Sequence, residues 1–230
     1  MVLIDELIQE GWLKTPRIIE AFKKIKRVDF LPEDMKDLSR TFLLNEKVQD
    51  LAELNEALPI GYGQTISQPL VVAFMIEQLQ PQPGDKILDI GSGSGWTTAL
   101  LAEIVGEKGK IIAIEIIPEL VEFGKRNVAK YNFLAPYRTE GSGAGIEKGI
   151  TQFISADGSK GYEKEAPFDK ILASASIQGE LPRAWKEQLK VGGRIVTPIG
   201  NSIWLFVKNN EEKFEEIEYP GFVFVPLIEK

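Results

Sequence analysis

The chain has 230 residues, a formal net charge of −7, and neither cysteine nor histidine. It therefore has no thiol nucleophile, no Cys/His zinc site and no Ser-His-Asp triad, so any catalysis must use carboxylates, hydroxyls, amines, backbone dipoles or a bound cofactor. The excess of acidic residues argues against a nucleic-acid binder. No apolar run is as long as a membrane span, and the first residues lack the basic region with which a signal peptide starts. We expect a cytoplasmic monomer that works without metal ion, nucleic acid or membrane.

Residues 1–57 are predicted to form an N-terminal helical segment, packed on a main domain of residues 58–230 within one structural unit. Apolar residues at three- and four-residue spacing indicate helices near 3–8 and 18–25, and an amphipathic stretch over 43–58. The basic stretch around Lys23 and Arg27 is interpreted as the solvated face of a helix. The glycine- and proline-rich segment 58–69 carries little charge, so we expect an ordered loop that packs against the rest of the protein.

Beyond a helix predicted over 70–79, short apolar strands alternate with helices. Strands are predicted over 86–90, 110–115, 152–156, 168–174 and 193–198, helices over 96–105, 118–130 and 183–188, and two closing strands over 202–207 and 222–226. The tract 135–149 is interpreted as a surface excursion. Because strands that alternate with helices form parallel sheets covered on both faces, we expect an α/β fold with a mostly parallel, doubly wound sheet.

A glycine cluster joins the first strand of this unit to its helix, and it reads Asp89-Ile90-Gly91-Ser92-Gly93-Ser94-Gly95. Glycines at such a junction let the backbone approach a ligand closely, and the helix that follows directs its N-terminus at that ligand. Glu115 ends the next predicted strand, where an acid can accept hydrogen bonds from ribose hydroxyls. The pattern indicates a site for an adenosine-containing ligand, with a tight turn beside a chance acid as the alternative.

The spacing of the glycines distinguishes between two kinds of adenosine ligand. A dinucleotide fingerprint reads G-x-G-x-x-G, whereas here Trp96 occupies the position of the last glycine, which argues against a dehydrogenase. Asp89 would repel a pyrophosphate but suits a cationic cofactor that carries an ammonium group. These electrostatics favour S-adenosylmethionine, with S-adenosylhomocysteine as the product.

Several further motifs occur in a characteristic order. They are PIGYGQTISQP at 59–69, FLPE at 30–33, ADGSKG at 156–161, APFD at 166–169, LKVGGR at 189–194, PIG at 198–200 and FVPL at 224–227. Together they resemble the motifs of the protein-L-isoaspartate (D-aspartate) O-methyltransferase family, whose loop reads close to PIGxGQTIS-[AQ]-P. The resemblance implies a Rossmann-like methyltransferase fold. It also implies methyl transfer to the misplaced carboxylate of an isoaspartyl or D-aspartyl residue in a damaged protein or peptide, whose ester then collapses to a succinimide.

The resemblance also implies roles for individual residues. Ser67 matches the active-site serine, and its hydroxyl is expected to orient the acceptor carboxylate, which is already ionised at pH 7 and needs no general base. The cofactor residues implied are Gln64, Thr65, Asp89, Gly91, Ser92, Gly93, Gly95, Glu115, Asp157 and Gly158. The substrate residues implied are Ile66, Ser67, Leu70, Ser174 and Ala175. The methionine end of the cofactor is expected at the glycine cluster, the ribose at Glu115 and the adenine at Asp157 and Gly158.

The sequence departs from the family pattern at a few positions. Leu70 stands where many members carry histidine, Ala156 replaces a glycine, and segment 172–182 is one residue longer than the family's alanine-rich loop. Two alternatives therefore stay open beside an isoaspartyl methyltransferase. One is a related O-methyltransferase that acts on another peptide or small-molecule carboxylate, and the other is a non-catalytic S-adenosylmethionine-binding protein.

Overall fold

Seven strands form the main sheet of the protein. The computed structural model describes residues 2–33, 35, 51–134 and 149–229. The strands are β3 (Lys86–Ile90), β4 (Lys110–Glu115), β5 (Thr151–Ser155), β6 (Phe168–Ala173), β7 (Leu189–Ile199), β8 (Ser202–Lys208) and β9 (Phe214–Pro220). Their order is β5-β4-β3-β6-β7-β8-β9, parallel from β5 to β7 and antiparallel from β7 to β9. The predicted α/β fold with a mostly parallel sheet is confirmed.

Helices cover both faces of this sheet. They are α1 (Val2–Gln9), α2 (Pro16–Lys24), α3 (Pro69–Leu79), α4 (Trp96–Val105), α5 (Pro118–Ala129) and α6 (Arg183–Gln188), with 3₁₀ turns at Arg27–Phe30, Gly158–Lys160 and Glu163–Glu165. Alternate residues of one strand enter different cores, since Ile87 joins the core built by α1 to α5 whereas Leu88 joins the core around Trp185 of α6. The doubly wound arrangement therefore follows from strands that are apolar on both faces.

The N-terminal helices share a core with the helix that follows the glycine cluster. Phe22 of α2 packs edge-to-face on Trp96 of α4, with ring centroids 5.8 Å apart. Pro16 begins α2 as predicted, because its fixed φ and missing N–H suit the first position of a helix. The division of the chain after residue 57 stays a prediction.

The segment predicted to be a loop at 58–69 contains a β-hairpin. Strands β1 (Leu58–Gly61) and β2 (Gln64–Ile66) pair antiparallel. Tyr62 and Gly63 form the two-residue turn with φ of 55° and 70°, which matches the positive dihedrals that tight hairpins use. The amphipathic stretch predicted over 43–58 lies outside the described residues up to position 50. Residues 51 and 52 are helical, but a turn over 53–56 precedes β1, so a helix that continues to residue 58 was a wrong prediction.

Two further predictions were wrong near the termini. The last strand is β9 and not 222–226, because residues 214–220 pair with β8 along its whole length. Ile217 and Tyr219 pack on one core and Phe214 on the other, while Glu215, Glu216 and Glu218 lie at the edge of the sheet. Residues 222–226 instead leave the sheet after Gly221 and touch Ser176 through a single bridge. Arg27 is buried and does not belong to a solvated basic face.

Two remaining observations concern parts of the chain away from the sheet. The predicted surface excursion at 135–149 lies outside the described residues, apart from its last position. In the parts of the chain that the structure describes, no helix is both long and apolar enough to span a bilayer.

Replacing Gly95 by alanine tests the close approach of the glycine cluster to α5. A Cβ on Gly95 would lie 2.9 Å from the carbonyl oxygen of Gly124, at a backbone φ of +84°. Gly84 has a similar φ of +88° but open space around it. We expect Gly95→Ala to lose about 1–3 kcal/mol more unfolding free energy than Gly84→Ala in urea denaturation, because only the first adds a clash to the strain. Equal losses would contradict this close packing.

Candidate active site

One pocket lies where the carboxyl ends of the parallel strands face the β1–β2 hairpin. Its empty space, including the part open to solvent, amounts to about 740 Å³. Its lining comprises residues 60 and 64–67 of the hairpin region, 90–94, 96 and 97 around the glycine cluster, 114–117 after β4, and 156, 158, 174, 175 and 225–228. The pocket thus brings together the cofactor motif and the PIGYGQTIS segment, which are separate in the sequence.

The glycine cluster forms the floor of this pocket. Gly91, Gly93 and Gly95 all have positive φ, at 76°, 49° and 84°, a conformation that favours glycine. The backbone N–H groups of Gly91 and Ser92 donate to the carbonyl oxygen of Ile114, at 2.9 and 3.1 Å. These bonds tie the loop to the end of β4 and leave the start of α4 directed at the cavity.

Glu115 is held rigidly at the end of β4. Its carboxylate is almost fully buried and accepts hydrogen bonds from the backbone N–H groups of Gly93 at 3.0 Å, Ile116 at 2.8 Å and Ile117 at 3.0 Å. Three amide donors compensate for the burial of the charge. An acceptor fixed in this way beside a cavity suits the hydroxyl groups of a ribose.

Asp89 lies beneath the glycine cluster rather than on the pocket wall. Its Oδ2 accepts a hydrogen bond from the Thr98 hydroxyl at 2.5 Å, whereas Oδ1 is buried without a partner among the described residues. Burial raises the pKa of Asp89 to about 7, the hydrogen bond from Thr98 lowers it, and the charge of Glu115 raises it further. The predicted contact between Asp89 and the cofactor's ammonium group therefore remains a hypothesis.

The acceptor side of the pocket is built by the hairpin and the segment after it. Gln64, Thr65, Ile66 and Ser67 all line the cavity, as the sequence predicted. The hydroxyl of Ser67 forms no hydrogen bond with any described residue, and the N-terminus of α3 is capped from elsewhere, because Asn55 Oδ1 accepts from the Leu70 N–H at 3.0 Å. The Ser67 hydroxyl is therefore available to a ligand in the pocket.

Some predicted site residues lie off the pocket wall. Gly158 lines the cavity, whereas Asp157 caps the 3₁₀ turn by accepting from the Ser159 N–H at 3.0 Å and pairs with Lys160 at 3.0 Å. Leu70 is partly buried and packs against the main core, and Gly95 lies against α5. Ser92, Gly93, Ser174 and Ala175 line the pocket, and their predicted roles in binding cofactor and substrate stay predictions.

One wall of the pocket was not predicted from the sequence. Residues 225–228 line the cavity, held by bonds from the Ser176 N–H to the Val225 carbonyl and from the Leu227 N–H to the Ser176 carbonyl, both 2.8 Å. The signal was present in the terminal FVPL motif, which was interpreted as a closing strand. The apolar residues Ile116 and Ile117 after β4 were also missed, because nothing in their local pattern marks them as pocket residues.

The donor set of the pocket fits S-adenosylmethionine. The glycine cluster leaves room for close contact, the Ser92 hydroxyl is buried on the wall without a partner among the described residues, and Glu115 offers a fixed carboxylate. The apolar side chains of Ile90, Ile116 and Ile117 provide a surface for a purine. No described group of three or more His, Cys, Asp or Glu residues is placed to hold a metal ion.

This fold and pocket define a Rossmann-like methyltransferase. A Plasmodium falciparum structure in complex with S-adenosyl-L-homocysteine has the same fold, with a TM-score of 0.80 at 20% identity over 100% of this chain and 98% of that one. A structure described as a protein-L-isoaspartate O-methyltransferase has a TM-score of 0.78 at 25% identity, over 97% of this chain and 64% of that one.

Comparison with known sequences identifies the family within this class of methyltransferases. The model of the family described as protein-L-isoaspartate(D-aspartate) O-methyltransferase matches residues 1–230, and the chain belongs to that family. The curated Protein-L-isoaspartate O-methyltransferase of Methanopyrus kandleri is 36% identical over 98% of this chain and 89% of the relative. Protein-L-isoaspartate O-methyltransferase 2 of Archaeoglobus fulgidus is 39% identical over 98% of this chain and 90% of the relative.

The buried carboxyl group of Asp89 predicts a pH-dependent stability. Because its folded-state pKa lies above the ordinary value, the stability present in acid is lost as the pH rises through about 7. Asparagine at this position does not titrate. Between about pH 5 and pH 8, the unfolding free energy of the wild type should fall relative to Asp89→Asn by on the order of 2 kcal/mol. Leu88→Val, on the same strand, should show a constant difference from the wild type, and a constant difference for Asp89→Asn too would contradict the assignment.

Proposed function

We propose that the protein binds S-adenosylmethionine in this pocket and methylates the misplaced carboxylate of L-isoaspartyl, and also D-aspartyl, residues in damaged proteins or peptides. The observation that carries the proposal is that the glycine cluster with Glu115 and the segment of Ser67 line one cavity. Membership of the isoaspartyl methyltransferase family supports the choice of acceptor. The ester would then open the route through a succinimide back to normal aspartate.

The cofactor would lie along the ends of β3 and β4. Gly91, Ser92 and Gly93 would hold its methionine end, with Glu115 accepting from the ribose hydroxyls and Gly158 beside the adenine. Asp157 and Asp89 would not touch the cofactor directly but would support the pocket wall, since each already bonds a neighbouring side chain, that of Lys160 or Thr98. When bound, S-adenosylmethionine would supply a methyl group on a cationic sulfur, so that a carboxylate oxygen can bond to the methyl carbon while the C–S bond breaks and a neutral thioether leaves.

The residues on the acceptor side would orient the carboxylate. Ser67 would donate its hydroxyl hydrogen to one carboxylate oxygen, so that the other oxygen faces the methyl group in line. Ile66, Ser174 and Ala175 would shape the space around the acceptor, and Leu70 would support this wall from the core. An ionised carboxylate needs no base, which is consistent with a chain that has no histidine or cysteine.

The apolar lining would contribute through the change in charge during the reaction. A negative carboxylate and a positive sulfur become neutral products, so two opposite charges disappear as the methyl group moves. Ile90, Ile116 and Ile117 line the pocket with apolar side chains, and an environment poor in water would favour this loss of charge. Orientation by the hairpin would supply the rest of the acceleration.

The proposal also covers the location, the oligomeric state and the partners of the protein. We propose a cytoplasmic monomer that uses isoaspartyl proteins or peptides as its partners and does not require nucleic acid. The net charge of −7 supports the last point, because a nucleic-acid surface would repel an acidic chain.

Methyl transfer to matched peptides tests this function. With S-adenosylmethionine labelled in its methyl group, an isoaspartyl peptide should yield a base-labile methyl ester, and the same peptide with normal aspartate should yield none. Equal labelling of both peptides would exclude specificity for isoaspartate, and labelling confined to one natural partner peptide would indicate a related carboxyl methyltransferase. Tight cofactor binding without any turnover would indicate a binding protein.

Ser67→Ala tests the role of the hydroxyl in the same assay. Loss of a hydrogen bond to a charged acceptor should lower kcat/KM for the isoaspartyl peptide by about 10–100-fold, with little change in the KM for S-adenosylmethionine. Ser202→Ala is the matched control, because its hydroxyl donates to Glu218 on β9 and lies off the pocket wall. A Ser67→Ala variant as active as Ser202→Ala would rule out this role.

A further inference from the structure

A buried cation lies directly behind the acceptor side of the pocket. Arg27 is only 7% exposed, and its guanidinium donates to four backbone carbonyls. Nη1 bonds the carbonyls of Ala52 at 3.2 Å and Leu54 at 3.0 Å. Nη2 bonds the carbonyls of Glu56 at 2.6 Å and Ser67 at 3.2 Å. One side chain therefore joins the segment that precedes the hairpin to the residue expected to orient the acceptor.

The same segment holds the chain on the other side of Ser67. Asn55 lies among the residues bound by Arg27, and its side chain accepts from the Leu70 N–H at the start of α3. The backbone is thus tied at residue 67 by the guanidinium, and at residue 70 by Asn55, whose two neighbours in the chain bond the guanidinium. This leaves the Ser67 backbone little freedom to turn.

Arg27 also touches the cofactor side of the pocket. Its Cζ lies 5.5 Å from the centroid of the Trp96 ring, a distance typical of a cation–π contact. Trp96 begins α4 directly after the glycine cluster, and it lines the pocket. A single planar group therefore contacts both the Ser67 segment and the helix whose N-terminus faces the cofactor site.

The chemistry of this contact is specific to arginine. Burial lowers the pKa of Arg27 to about 10, so the group stays charged at neutral pH. A planar guanidinium can present its N–H groups to several carbonyls at once and still stack on an indole ring, whereas the ammonium group of lysine is a compact point charge. A lysine could not span these four carbonyls.

We propose that Arg27 is a positioning residue for methyl transfer, which sets the Ser67 segment at a fixed distance and direction from the glycine-cluster helix. This inference rests on the proposed role of Ser67 and extends it. Arg27 touches neither cofactor nor substrate, and it acts by fixing the Ser67 carbonyl and the Trp96 ring relative to each other. The Ser67 hydroxyl and the glycine cluster then keep a fixed position relative to each other, although they belong to separate parts of the chain.

Arg27→Lys tests the proposal, with Arg17→Lys as its matched control. Arg17 also bonds a backbone carbonyl, that of Pro81 at 2.9 Å, but it lies away from the pocket. In the full-length protein, at a temperature where circular dichroism shows each variant folded, kcat for the isoaspartyl peptide should fall at least about tenfold for Arg27→Lys, since small displacements of reacting groups are costly. The KM for S-adenosylmethionine should change less than about threefold, and Arg17→Lys should match the wild type.

A double-mutant cycle separates positioning from a general loss of structure. Because Arg27 is inferred to act through Ser67, the double variant Arg27→Lys/Ser67→Ala should be no less active than Ser67→Ala alone, within about twofold. Losses that multiply, or an Arg27→Lys variant as active as the wild type, would overturn the proposal. A wild type without activity on isoaspartyl peptide is a different outcome, which refutes the proposed function itself.

A second variant keeps the test decisive if Arg27→Lys does not fold. Trp96→Phe retains an aromatic ring but offers the guanidinium a smaller π-face. It should lower kcat a few-fold in the wild-type background and leave kcat unchanged in the Ser67→Ala background. A loss of the same size in both backgrounds would overturn the inference.

Discussion

The close approach of the glycine cluster to its neighbours is the constraint on which the site depends. A Cβ on Gly95 would lie 2.9 Å from the carbonyl oxygen of Gly124, and a Cβ on Gly124 would lie 3.0 Å from that of Gly93. Gly91 and Ser92 are bonded to the end of β4. This packing places the N-terminus of α4 beside the carboxylate of Glu115. Without it, the two halves of the cofactor site would separate, and the cavity would lose its floor.

The acceptor side is stabilised in a different way. It consists of a hairpin, whose Leu58, Ile60 and Ile66 are buried in the main core, and the short segment that follows it. A buried guanidinium adds order behind this segment, because it satisfies four carbonyls and contacts the Trp96 ring. The cofactor side is therefore fixed by tight backbone packing and the acceptor side by a cation, and Arg27 connects the two.

Much of the fold could be predicted because its local signals agree with the final structure. The strand at 86–90, the helix at 96–105 and the strand at 110–115 were predicted with the bounds that the structure shows, since glycine and proline mark their ends and apolar periodicity marks their interiors. The edge strand β9 was missed for the opposite reason. Its three glutamates, two of them adjacent, resemble a polar loop, whereas the more apolar 222–226 resembles a strand.

The residues that belong to sequence motifs could be predicted as parts of the site, whereas the residues that support them could not. The glycine cluster, Glu115, Ser67 and the residues beside it meet in one pocket, as their motifs implied. The buried position of Arg27 could not be foreseen, because its four partners lie 25 to 40 residues away in sequence and offer only backbone atoms. Asp89 likewise resembles a ligand residue by motif, yet the register of β3 directs its side chain into the core beneath the loop.

A crystal structure with both S-adenosylhomocysteine and an isoaspartyl peptide tests the central claim most directly. The account predicts that the Ser67 hydroxyl lies within hydrogen-bond distance of the misplaced carboxylate, and that Glu115 binds the ribose. The carboxylate oxygen nearest the cofactor sulfur should lie in line with the position from which the methyl group has left. A peptide bound away from Ser67, or a cofactor that does not reach the glycine cluster, would contradict the account.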